Sequence, residues 1–188
     1  MLSVECNEIA SPSAAALRRE CFADLRDEGG WSEKEAEIDS HSLHIEISFN
    51  RAVIGYCRIT KPTLSVFGYF MDDPDFMPTG RDVWSLGRGC VSVTHRRRGL
   101  LPFVVLDGIR MARSFGAAAV IGAMPPTENA IQSIKKSSMV PIGEPIQSGH
   151  RGRKSLHQCV IHDAAMIDNE NFERMYEAAF HLVEERFR

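Results

Sequence analysis

Residues 84–123 constrain the fold more than any other part of the chain. They read WSLGRGCVSV, then THRRRG, then LLPFVVLDGIRMARSF, then GAAAVIGA. The first segment is β-rich and partly alternating. The third places Leu101, Val105, Ile109 and Ala112 on one helical stripe, tolerates Pro102 in its first turn and is ended by Gly116. Residues 117–123 are apolar without alternation and too short for a buried helix, which is the pattern of a strand covered on both faces. Strand, tight basic turn, helix and strand make a βαβ unit, so the chain must carry a sheet with at least one parallel pair.

The flanking segments add antiparallel strands and helices. Residues 2–9 suit a short strand. Residues 11–28 carry a serine cap, a proline in the first turn and Ala14, Leu17, Cys21 and Leu25 at helical spacing. Residues 32–39 suit a second short helix. Residues 44–59 alternate around Asn50 and Arg51 as a hairpin does. Residues 60–81 hold several prolines, glycines and aromatics and read as irregular or hairpin-like. A short helix over 127–138, strands over 140–146 and 156–163, and a polar hairpin loop over 147–155 follow. A last helix aligns Phe172, Met175, Tyr176, Ala179, Phe180, Val183 and Phe187. That stripe must be covered by the helix's own domain, by a homodimer seam or by a bound ligand over which the helix lies as a lid.

At 188 residues, the chain suits one core, divided here as 1–165 for the domain and 166–188 for the terminal helix. Lys and Arg number 22 against 25 Asp and Glu, a net charge of −3, so the general basic field of a nucleic-acid binder is absent. The N-terminus lacks a basic-then-apolar leader, and no apolar run approaches the ~20 residues of a membrane span. Five cysteines without a CxxC pair fit reduced thiols better than disulfides or zinc, and a soluble, cytoplasmic protein is expected. The histidines show no helical metal spacing, so no metal is expected.

The turn itself carries the chemistry. A helix that starts right after it leaves backbone N–H groups unpaired where the helix dipole favours negative charge. Gly99 lets the main chain approach a pyrophosphate, and Arg96, Arg97 and Arg98 supply charge around it. A solvated basic turn or a weak DNA-contacting patch is the alternative, and spacing alone does not separate these from a phosphate cradle.

Val91-x-Val93-x-His95-Arg96-x-x-Gly99 resembles the acyl-CoA loop of the GCN5-related N-acetyltransferase superfamily, with Leu101 in place of the usual small residue. Residues 129–143, beginning at Asn129, look like that superfamily's next helix and strand, with Ile134 at the usual tyrosine position. Arg18-x-x-x-Phe22, Trp31, the acidic stretch ending at Asp39, Gly55-x-x-Arg58 and Trp84-x-x-Gly87-Arg88 follow in the order of motifs in the autoinducer synthase and N-acyl amino acid synthase branch. The matches extend over residues 18–143.

The resemblance implies a mixed α/β (α+β) fold: a largely antiparallel central sheet with a βαβ acyl-CoA-binding core flanked by helices. It implies an N-acyltransferase that takes an acyl group from acyl-CoA or acyl-carrier protein to a small-molecule amine, such as an amino acid, without a metal. Val91, Val93, Arg96, Arg97, Arg98, Gly99, Leu100, Leu101 and Asn129 would hold the donor. A backbone N–H near residues 91–93 would polarise the thioester. Arg18, Phe22, Trp31, Arg58, Trp84 and Arg88 would serve the acceptor. The branch's glutamate is Ser85 here, so a water held by Ser85, Asp39 or His95 would carry the proton. Loss of both the glutamate and the tyrosine leaves open a catalytically silent acyl-CoA-binding sensor.

Several residues keep two readings. Arg58 and Arg88 on adjacent strands can converge on a substrate carboxylate or phosphate, or pair with Asp82 or Asp39. Cys90 is a buried strand thiol or an acyl-accepting nucleophile. Phe67, Tyr69, Phe70, Phe76 and Met77 line an acyl chain or pack a loop.

Overall fold

A computed structural model describes residues 1–22, 33–61, 82–150 and 153–188. Trp31, Leu25 and the aromatics of 67–77 lie outside the described residues. The elements are β1 (Leu2–Asn7), α1 (Pro12–Cys21), α2 (Glu33–Ser40), β2 (Ser42–Phe49), β3 (Ala52–Thr60), β4 (Val83–Val91), α3 (Leu100–Ser114), β5 (Ala119–Met124), α4 (Glu128–Lys135), β6 (Val140–His150), β7 (Arg153–Asp163) and α5 (Asn169–Arg186). The sheet order is β1-β2-β3-β4-β5-β7-β6. Every neighbouring pair is antiparallel except β4 and β5, which are parallel as the βαβ pattern requires.

Local chemistry explains the boundaries. Ser11 caps α1 by accepting from the Ala14 N–H, with Pro12 in the first turn. Thr127 and Asp168 cap α4 and α5 in the same way. Asn50 and Arg51 both take positive φ, +49° and +67°, the geometry of a two-residue hairpin whose twist matches its strands. Residues 147–150 and 153–155, expected in a polar hairpin loop, are strand: β6 runs on to His150, and the ladder continues to the His150–Arg153 pair. Cross-strand pairing carries this polar sequence as strand, overriding its local composition.

The α3 helix lies against one face of the sheet and α1 against the other. Gly55 and Gly108 set the α3 contact: a Cβ at Gly55 would stand 2.8 Å from Val104 Cγ2, and one at Gly108 2.9 Å from Cys57 Sγ. Since α5 covers the outer side of α3, that helix is buried almost all round, from Leu100 through Phe103–Ile109 to Ala112. Leu101 is the exception to the expected stripe, at 36% exposure; its side chain stands over the gap beside Gly89. The α5 stripe packs on this same chain: Phe172 and Val183 are buried, the rings of Tyr176 and Phe180 pack at a tilt against Phe103, and the Tyr176 hydroxyl donates to the buried Asp107 at 2.8 Å.

Candidate functional site

β4 bends where the site forms. Its ladder to β5 ends at Leu86–Gly122, yet β4 continues to Val91 and β5 to Met124, so the two parallel strands part company. The β3–β4 register steps from Arg58–Gly87 to Tyr56–Cys90, giving β4 one extra residue, and Arg88 takes φ +57°. This is a β-bulge. It also changes which side chains face which layer. Trp84 and Leu86 point to α3; past the bulge Gly89 and Val91 do so, while Cys90 packs under α1.

Beyond the bulge the main chain opens toward the gap. The Ser92 N–H donates to the Ile54 carbonyl at 2.9 Å. Strand alternation therefore turns Val91 away from β3. Its carbonyl indeed accepts from Cys21 Sγ at 3.5 Å and Arg96 Nε at 3.4 Å, neither of them on β3. The Val91 N–H faces the space that β5 has left.

A groove of about 1110 Å³ runs from this fork to the glycine turn. Its floor is Gly89, Cys90 and Val91 with the first turn of α3, Leu100 to Pro102. On its sides are α4, through Asn129, Ala130 and Ser133 with Lys136 just past its end, and α5, through Ala178, Leu182 and Arg186. The turn comprises a short 3-10 segment, Val93–His95, then Arg97 at φ +64° and Gly99 at φ +79°, the residue before α3. No side chain caps α3, and Pro102 brings no N–H, so its first amides are left for a ligand or water.

Of the residues expected to hold the donor, Val91, Arg96, Arg97, Gly99, Leu100, Leu101 and Asn129 line the groove. Val93 and Arg98 do not. Val93 is 56% exposed. Arg98 turns to the C-terminus, where Nη1 donates to the Arg186 carbonyl at 3.4 Å and the guanidinium lies over the Phe187 ring.

The expected proton carriers are dispersed. His95 lines the groove at the turn, its ring stacked on Phe187 at 5.7 Å and its Nδ1 2.9 Å from Thr94 Oγ1. Ser85 is buried in mid-β4 opposite Thr60 and Ile121. The Asp39 carboxylate is shared between Arg18 Nη1 at 2.8 Å and Arg58 Nη1 at 2.6 Å.

Most of the residues expected to serve the acceptor form one charged cluster on the α1 face. Arg58 and Arg88 do converge on a planar anion, but it is the carboxylate of Glu35, bound by Arg58 at 3.0 Å and by both Nε and Nη2 of Arg88. Neither arginine uses Asp82 in this arrangement, and the forks expected to take a substrate anion hold the protein's own. Burial pushes the Glu35 carboxyl up, but hydrogen bonds and charge from Arg88 and Arg58 outweigh it and hold it below its ordinary range. Phe22 lies under the Arg88 guanidinium at 5.4 Å. Trp84 is separated from this group: it faces α3 and stacks on Phe115.

Sequence reading did not single out Glu35, His44 or Tyr56. The Tyr56 hydroxyl meets Arg18 Nη1 at 3.1 Å and His44 Nδ1 at 2.7 Å, and His44 Nε2 lies 3.2 Å from the Asp39 carbonyl. Burial lowers the His44 pKa and raises that of Tyr56, keeping both neutral. Glu35 and Asp39, four apart on a helix, share one face. Tyr56 and Arg58, two apart on a strand, also share one. These spacings were the available signals.

Among the described residues no cluster of His, Cys, Asp and Glu could hold a metal, and no helix is long and apolar enough to cross a membrane. Cys90 is buried, with its thiol pKa raised first by burial and then by Cys21, the opposite of an activated nucleophile.

No protein-family model and no curated protein matches the chain. Solved structures do. It is similar to a Bacillus subtilis acetyltransferase in complex with CoA, at TM-score 0.60 and 11% identity over 87% of this chain and 99% of that one. A GNAT family acetyltransferase from Elizabethkingia anophelis with acetyl-CoA bound gives 0.59 at 10% identity, over 86% and 97%. An acyl-CoA N-acyltransferase from Pseudomonas aeruginosa gives 0.57 at 13%, over 86% and 99%. At these identities the likeness is one of fold, and the chain has the mixed, largely antiparallel fold of the GCN5-related N-acetyltransferases.

Proposed function

We propose that this protein is an acyl-thioester-dependent N-acyltransferase, moving an acyl group from acyl-CoA or acyl-carrier protein to the amine of a small molecule. The observation that carries the reading is the groove that joins the fork between β4 and β5 to the uncapped start of α3 at Gly99. Its chemistry suits a long donor with a phosphate at one end and a thioester at the other. The structural neighbours that hold CoA or acetyl-CoA have this same fold.

In this account the turn amides and Arg96 and Arg97 take the phosphate. The pantetheine arm extends along β4, and the Val91 N–H polarises the thioester carbonyl and holds the oxyanion that develops there. The neutral amine attacks the carbonyl carbon, the C–N bond forms, the C–S bond breaks and the thiolate leaves as a thiol. The amine's proton passes to a water held by Ser85, Asp39 or His95 and from it to the leaving thiolate, and His95 is the one of these that borders the groove. An amino acid is the acceptor class favoured, its carboxylate meeting Arg88, the most exposed of the three clustered arginines. Such an acceptor agrees with the sequence resemblance to the autoinducer synthase and N-acyl amino acid synthase branch.

Acyl-CoA donors of graded length, incubated with a panel of amino acids, should release free thiol with at least one pair. A second reading, a silent acyl-CoA sensor, is favoured by Ile134: the position of the superfamily's tyrosine acid is an aliphatic residue packed against the core. CoA binding with no thiol release from any pair would select that reading.

A further inference from the structure

The C-terminal helix ends over the glycine turn. A Cβ at Gly99 would stand 3.1 Å from Arg186 Nη1 and 3.9 Å from Val183 Cγ2. The backbone on either side of Arg186 is anchored: its carbonyl accepts from Arg98, and Phe187 is buried against His95 and Phe49. The guanidinium itself borders the groove, continuing a wall that Ala178 and Leu182 begin at helical spacing. Among the described residues no carboxylate pairs with it, although Arg188 nearby is paired with Glu184 at 3.1 Å.

This arrangement is electrostatically incomplete. Arg186, Arg96 and Arg97 border the same groove at the positive end of α3, and like charges repel one another and the helix dipole. All three side chains are exposed, so solvent screens their repulsion, and an anion bound between them would gain from each. We infer that Arg186 binds the diphosphate of a nucleotide-bearing acyl donor, so that α5 forms part of the donor site and selects coenzyme A over carrier-bound phosphopantetheine. The inference rests on the groove being the acyl-thioester site. Phosphopantetheine presents a single phosphate, which the turn amides satisfy; a diphosphate presents a second charge, which Arg186 meets from the end of α5.

Calorimetric titration of the full chain with CoA, dephospho-CoA and 4′-phosphopantetheine tests it. Arg186→Gln should weaken CoA and dephospho-CoA about tenfold each and leave 4′-phosphopantetheine within about threefold. Lys135→Gln, which removes the same charge outside the groove, should leave all three within about twofold. Unchanged CoA affinity in the Arg186 variant overturns the inference, and so does a loss confined to CoA, which would assign Arg186 to the 3′-phosphate. If the unmodified protein bound neither nucleotide, the groove itself would be misassigned.

Discussion

Arg58 Nη1 stands 2.6 Å from Asp39 Oδ1, and the other oxygen of that carboxylate takes Arg18 Nη1 at 2.8 Å. One α2 carboxylate thus bridges guanidinium groups from α1 and β3, both of them buried. Removing its charge leaves three guanidinium groups, those of Arg18, Arg58 and Arg88, around the carboxylate of Glu35. Asp39→Asn should cost about 3 kcal/mol of stability, read from urea unfolding. A loss below about 1 kcal/mol would mean that the cluster is solvated and does not tie α1 and α2 to the sheet.

Gly108 should not tolerate a methyl group. A Cβ there meets Cys57 Sγ at 2.9 Å, Leu86 Cδ1 at 3.0 Å and Ile59 Cγ2 at 3.3 Å, all inside the α3–sheet interface. Alanine's helix propensity gains at most about 1 kcal/mol, and overpacking costs about 1–3 kcal/mol. Gly108→Ala should be destabilising by about 1–2 kcal/mol in the same assay; an increase in stability would contradict the close approach.

His162 should make the protein acid-sensitive. Arg113 can only donate, so His162 Nε2 accepts from it at 3.0 Å and Nδ1–H donates to Ser138 Oγ at 2.9 Å. Burial first, and then the Arg113 charge, push its pKa from 6.5 down to about 4. The unfolded chain therefore binds the proton first as pH falls. The stabilising contribution is complete above pH 6.5 and is lost between about 6.5 and 4, on the order of 3 kcal/mol. His162→Gln should flatten the unfolding free energy across this interval. Parallel curves for the two proteins would refute the assignment.

Gly99→Ala should separate binding from folding. Its φ of +79° costs a side chain about 1 kcal/mol, and the new methyl would crowd Arg186 Nη1, a flexible group able to move. Stability should fall by about that amount. CoA affinity should fall about tenfold or more, because the methyl sits where the main chain approaches the phosphate. Equal affinities by calorimetry would detach the glycine from the site.

Much of the architecture was legible in the sequence because it is encoded locally. The Asn50–Arg51 hairpin, the α3 boundaries at Gly99 and Gly116, the buried β5 run and the α5 stripe all follow from short-range spacing. The bulge at Arg88 does not, since it exists only relative to the β3 register. For the same reason the partners of Arg58 and Arg88 were open: plain alternation from Trp84 and Leu86 would put Arg88 on the α3 face, and only the bulge and the docking of α2 bring both arginines to Glu35. Arg186 was out of reach, since its place over Gly99 depends on how α5 crosses α3. Leu101 read both as part of the helical stripe and as a donor contact; with β4 parted from β5 it lies over the groove, not in the core.

The central claim is that the amides at the start of α3 bind the donor's phosphate. Amide proton–nitrogen NMR of the labelled protein during CoA titration tests it most directly. The account predicts that the largest shifts fall on residues 97–101, Pro102 giving no signal, with a second group at Val91 beside the fork. Shifts absent there at saturating CoA, or concentrated on the charged cluster around Glu35, would contradict it.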